Sequence, residues 1–261
     1  MRLSLFLILF IAPWSILAIQ SCGQGYKGLH SENGRRAIIE EANNLLTSGQ
    51  CEAAIAVLKP LYESEFNNNE VRLTYASAFA CAGGFNFAML IGSIQNVGSD
   101  IWSPIVASNY SPNYSNGRVT SLNTAARIIR ETSRTPGSFK AIDRDPDVNL
   151  YMIFIQAELI TTTISIDTMG VADEKTGKKT TTITGKGGSA EQCRIELAVA
   201  TIQDCLGQVS TGSAIDKVST SISAICGGAC PTNLDPGVCT ATEIVQGTAL
   251  IAAIDTQWTL F

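Results

Sequence analysis

The chain has 261 residues, 45% of them apolar and 16% charged, a composition that supports a packed core and excludes wholesale disorder. Eighteen Lys and Arg against 23 Asp and Glu leave a net charge of −5, so no overall positive field exists to hold a phosphate backbone, and nucleic acid is excluded as the expected partner. A single histidine, His30, excludes chemistry that needs two imidazoles.

The chain opens with Met1 and Arg2, followed over residues 3–19 by an almost unbroken apolar stretch containing Pro13. A charged start with a short apolar core predicts a secretory signal peptide over 1–21, and Pro13 argues against a membrane-spanning helix there. Ile19, Gln20, Ser21 and Cys22 follow at once. This run resembles the lipobox of bacterial lipoproteins, in which the cysteine is acylated and becomes the new N-terminus. The resemblance implies lipidation at Cys22, a membrane anchor of several acyl chains and a place in the bacterial cell envelope. Gly23 after the cysteine favours the outer membrane, with the protein facing the periplasm. Residues 22–34, which include His30, read as a lipidated tether. Loss of residues 1–21 leaves 17 basic and 23 acidic side chains.

Residues 35–100 carry a repeat. Ala42, Leu45, Gly49 and Ala54 correspond at a constant offset of 34 to Ala76, Phe79, Gly83 and Ala88. Ala37, Ile38, Glu41, Ala42, Leu45 and Leu46 form one stripe at helical spacing, and Ala54, Ile55, Val57, Leu58 and Leu61 form the next. Residues 70–81 and 85–94 repeat the pattern, with Gly49 and Gly83 where the first helix of each pair needs a left-handed end. The period and these positions resemble the tetratricopeptide repeat over about residues 35–96, although Gly92 stands where the first repeat has Leu58. The resemblance implies antiparallel helix pairs whose first helices line a concave partner groove. The matching positions are Arg36, Ile39, Asn43 and Leu46, then Glu70, Leu73, Ser77 and Ala80. Cover by another helix of the same chain is the alternative. Asn43 matches a carboxylate-clamping asparagine of one subset, but Ile39 replaces the lysine that subset needs.

Residues 101–261 are expected to form a helical C-terminal region with two loops. The first, 101–117, is rich in Ser, Asn, Pro and Tyr and reads as a surface loop carrying Trp102, Tyr110 and Tyr114. Residues 118–131 return to helical periodicity. Asp143, Asp145, Asp147 and Asn149 superficially resemble a calcium loop, but the glycine and the final glutamate are missing. Capping of a long buried helix over 148–169, with Asp145 as cap and Pro146 in the first turn, explains them better. The second loop, 171–188, is polar and glycine-rich and reads as a mobile excursion or short hairpin turning at Thr176 and Gly177. Capping boxes then mark three helix starts: Ser189 with Gln192, Ser213 with Asp216, and Thr240 with Glu243.

Export makes disulfides the expected state of Cys51, Cys81, Cys193, Cys205, Cys226, Cys230 and Cys239. With Cys22 acylated, seven cysteines remain and one must stay unpaired or pair between molecules. Clustering points to Cys51 with Cys81 and to two bridges among the other five. Cys193 and Cys205 cannot pair with each other, because 12 residues of one helix separate them by about 18 Å.

The expected architecture is therefore all-α: tetratricopeptide-like hairpins followed by a disulfide-tied helical bundle. No catalytic constellation, metal site or cofactor motif is apparent, so the chain is expected not to be an enzyme. The leading expectation is a membrane-anchored scaffold for an envelope protein partner. A small-molecule carrier associated with a transporter and a structural surface lipoprotein are the alternatives.

Overall fold

The computed structural model describes residues 31–86, 90, 101–108, 114–167, 176–179, 182–183, 187–210, 212–228 and 230–258. The signal segment, Cys22 and His30 lie outside these residues, as do Ala88, Gly92, Tyr110 and much of the segment 171–188. The fold is all-α, with nine α-helices and no strand among the described residues.

The front of the chain forms α1 (Glu32–Thr47), α2 (Cys51–Ser64) and α3 (Asn69–Ala82). Ser31 starts α1 by accepting the Gly34 N–H at 3.0 Å. Its end is a left-handed turn at Gly49, φ 72°, where the N–H groups of Gln50 and Gly49 satisfy the carbonyls of Leu45 and Leu46. The same closure ends α3, but the left-handed residue is Gly84, φ 94°, and not Gly83 as the repeat spacing predicts. Gly83 is small for a different reason. A Cβ there would sit 2.5 Å from Leu122 Cγ, so this glycine admits the next packed helix. Ala42, Ala54 and Ala76 are fully buried where the helices meet, whereas Ala37 and Glu41, expected on the apolar stripe, face solvent.

The next helix is a correction. Trp102–Ala107, expected within a surface loop, forms α4, and Ile101, Trp102, Ile105 and Val106 are all buried. The polar composition downstream of residue 107 masked an apolar turn with side chains three and four apart. Then follow α5 (Asn116–Arg130), capped by Ser115, a 3-10 turn (Ala141–Asp143) and α6 (Pro146–Asp167). Asp145 directly precedes α6, and its carbonyl accepts the Asn149 N–H at 3.0 Å while its carboxylate pairs with Arg134. Asp143 accepts the Thr135 and Ser138 hydroxyls, which hold its carboxyl below the usual range.

The C-terminal helices are α7 (Ser189–Leu206), α8 (Ser213–Cys226) and α9 (Ala241–Gln257). Only the last has the expected capping box, in which Thr240 caps and Glu243 reaches back to the Thr240 N–H at 2.8 Å. Ser189 and Ser213 are first helical residues instead. The extended cap positions before them belong to Gly188 and Gly212, one residue earlier than the capping pattern predicts.

Packing runs as a chain of neighbours: α1 on α2, α2 on α3, α3 on α5, α5 on α6, α6 on α7 and α7 on α9. α4 closes on α6, and α8 on both α7 and α9. The central α6 is long and apolar enough to cross a membrane, but 83% of that window is buried inside the fold, the place of a core helix. Phe154 of α6, Trp102 and Trp258 are among the largest fully buried side chains.

The segment expected to be mobile is anchored at its described residues. Gly177, φ 66°, lies so close to the Ser103 carbonyl that a Cβ would come within 1.7 Å of its oxygen. The Gly177 carbonyl accepts the Trp258 indole N–H at 2.9 Å. Lys179 is buried and donates to both the carbonyl and the carboxylate of Asp255. Burial of a lysine requires such partners, and they tie residues 176–179 to α9.

Candidate functional site

The groove positions divide between surface and core. On α1, Arg36 and Asn43 are exposed, Leu46 is half-buried against the core and Ile39 is buried. Arg36 pairs with Glu32 one turn earlier at 2.9 Å, both side chains being largely in water. On α3, Glu70 is exposed, Leu73 and Ser77 are half-buried and Ala80 is fully buried. The Ser77 hydroxyl donates to the Leu73 carbonyl at 2.9 Å, and its side chain is hydrogen-bonded to Tyr151 of α6. Burial pushes that phenol up to about 12. The expected continuous groove is thus corrected: Ile39 and Ala80 belong to the core, and Ser77 faces the chain's own α6. The exposed remainder is the edge made by Arg36, Asn43, part of Leu46 and Glu70.

A buried ion pair locks this arrangement. Arg118, on the first turn of α5, donates to the Gly83 carbonyl at 2.7 Å and to Glu158 of α6 at 3.0 Å, with its guanidinium over the Tyr114 ring. Glu158 is fully buried and also accepts the Thr162 hydroxyl at 3.0 Å. These bonds join the end of α3, the start of α5 and the middle of α6. A glutamate inside an otherwise apolar run was a readable sign of such a partner. The partner itself, 40 residues earlier, was not readable.

Three disulfides join Cys51 to Cys81, Cys193 to Cys239 and Cys226 to Cys230, with Cα separations of 5.4, 5.8 and 4.7 Å. The first ties α2 to α3, and the second ties α7 to the segment before α9. Cys205, expected among the bridging cysteines, is a free thiol that solvent does not reach. Burial pushes it up to about 11 against the pull of Arg144, whose guanidinium lies 3.6 Å from its sulfur. Arg144 also donates to Asn149 Oδ1 and to the Phe139 carbonyl, so Cys205 sits inside a polar knot between α6, α7 and the 3-10 turn.

Two further features escaped the sequence reading. Glu196 of α7 is 1% exposed, and neither carboxylate oxygen has a hydrogen-bond partner among the described residues. Burial, with Glu243 adding, pushes its carboxyl up to about 7. The second feature is a cleft of about 620 Å³ between α5 and α7, the two helices that flank α6. Arg127, Arg130, Arg194, Leu197, Pro236 and Val238 are among its walls. The 3-residue spacing of Arg127 and Arg130 signalled a shared helix face, but only the fold sets Arg194 opposite.

No group of three or more His, Cys, Asp or Glu side chains forms a metal-binding cluster among the described residues. Comparisons with protein families, with curated proteins and with solved structures find no match to this chain.

Proposed function

We propose that the protein is a lipid-anchored component of a bacterial envelope that works by holding a partner protein on the outer edge of its front helices, without catalysis. The observation that carries this reading is the edge of α1. Arg36 and Asn43 are exposed there and Leu46 partly so, on the first helix, which begins at Glu32 and so takes in the last residues of the segment 22–34 expected to be a tether. The resemblance to tetratricopeptide repeats adds support, since Ala42 and Ala76 are both fully buried and Leu45 and Phe79 both pack on the core at the repeat offset. Acylation of Cys22 would hold this edge close to the membrane, where envelope partners are concentrated.

A photo-crosslinking amino acid at position 43, in cells making the full chain, tests the reading against the same group at exposed position 52 on α2. Position 43 is expected to give one defined protein adduct that is lost in the Cys22→Ser variant, and position 52 is expected to give none. The same adducts from both positions, or none from position 43, would overturn it. A second reading, a carrier of small molecules, is favoured by the cleft between α5 and α7.

A further inference from the structure

We infer that the cleft between α5 and α7 is a binding site for a small organic anion, with a phosphate or carboxylate head on the arginines and an apolar body against Leu197, Pro236 and Val238. This extends the carrier reading and holds whether or not the α1 edge takes a protein partner. The volume, about 620 Å³, lies within the range of small-molecule sites.

Charge gives the first argument. The chain is acidic overall, yet the residues lining this cleft include three arginines and no carboxylate. Arg127 is engaged by Glu131, which also accepts the Tyr62 hydroxyl. Arg130 and Arg194 have no acidic partner among the described residues. Arg130 is half-buried, and burial together with the neighbouring Arg144 pulls its guanidinium down to about 10. A cation that remains charged at neutral pH in such surroundings lacks the compensation that buried charges normally have. An anion in the cleft supplies it, and guanidinium groups suit the paired oxygens of carboxylate and phosphate.

Geometry gives the second. Arg127 and Arg130 are three residues apart on α5, and Arg194 and Leu197 are three apart on α7, so each helix turns one row into the gap. Both helices pack on α6, which fixes the width of the gap. The third wall is not helical. The Cys193 to Cys239 disulfide pins the segment carrying Pro236 and Val238 against α7, and Val238 is 41% exposed within it. An apolar residue left in water beside unpaired arginines fits a ligand with both an apolar part and a charge.

The test is calorimetric titration of the full chain, held in phosphatidylcholine nanodiscs at low salt, with benzoate, phenyl phosphate, benzylamine and inorganic phosphate. At least one of benzoate and phenyl phosphate is expected to bind saturably at one site, with inorganic phosphate at least tenfold weaker and benzylamine silent. Arg194→Ala is expected to weaken binding at least tenfold at an unchanged melting temperature, and Lys59→Ala, which removes an exposed cation of α2 outside the cleft lining, to leave it unaltered. Should Arg194→Ala fail to fold, Val238→Asp puts a carboxylate on an exposed wall position and is expected to abolish binding. The inference is overturned if neither organic anion binds, if benzylamine or inorganic phosphate binds equally well, or if the cleft variants bind like the unaltered protein.

Discussion

Glu196→Gln tests whether a carboxyl group buried without a hydrogen-bond partner governs the pH dependence of stability. Glu196 lies on α7 where α9 crosses closely, and Glu243, in the first turn of α9, acts on it with a negative charge. Burial raises the folded-state pKa from 4.5 to about 7, so the folded protein holds this proton more tightly than the unfolded chain. The contribution to stability is therefore complete below pH 4.5 and is lost as pH rises to about 7, because the unfolded chain releases the proton first. At 1.36 kcal/mol per pKa unit, the shift corresponds to about 3 kcal/mol. For a protein of this size that is roughly 6–12 °C in melting temperature. The glutamine variant cannot titrate, so its melting temperature should rise relative to the unaltered protein between pH 4 and pH 8, by about that amount. Thermal unfolding followed by circular dichroism, with disulfides intact, measures the difference. A gap between the two proteins that does not change with pH would refute the reasoning.

Other perturbations address the packing. Arg118→Ala strands the fully buried Glu158 and should cost about 3–5 kcal/mol in urea unfolding, whereas Arg118→Met combined with Glu158→Leu should lose much less. Replacing Cys51 and Cys81 together by alanine opens a 30-residue loop and should cost ~3.5 kcal/mol by loop entropy, read as a lower denaturation midpoint. Gly247→Ala would put a Cβ 2.1 Å from the Gln192 carbonyl oxygen, forcing α7 and α9 apart. About 1–3 kcal/mol of destabilisation is expected, and an unchanged melting temperature would show that the crossing has room.

What could be read in advance followed local rules. The stripes of α1, α2 and α3 were legible because helical spacing repeats within a few residues, as were Gly49 and the Thr240 to Glu243 capping box. The separation of Cys193 and Cys205 on one helix excluded their pairing, but nothing in the sequence marked Cys205 as the free thiol. The capping boxes at Ser189 and Ser213 failed by one residue, because both serines are already helical and the extended cap positions fall on Gly188 and Gly212 before them. Composition misled most where a polar stretch is buried by distant partners. Gly177 and Lys179 looked solvated and are held by Ser103, Trp258 and Asp255, the last 76 residues beyond Lys179.

The sequence by itself determined the all-α class, most of the helices and the cysteine inventory, all consequences of spacing along a short stretch of chain. Only the tertiary structure decided that Ile39 and Ala80 of the groove row are buried and that Ser77 meets α6, that Glu158 and Arg118 form a pair, and that arginines from α5 and α7 share one cleft. Those facts depend on which helix faces come together. That choice is made by shape complementarity and burial of polar groups across tens of residues, and no local periodicity records it.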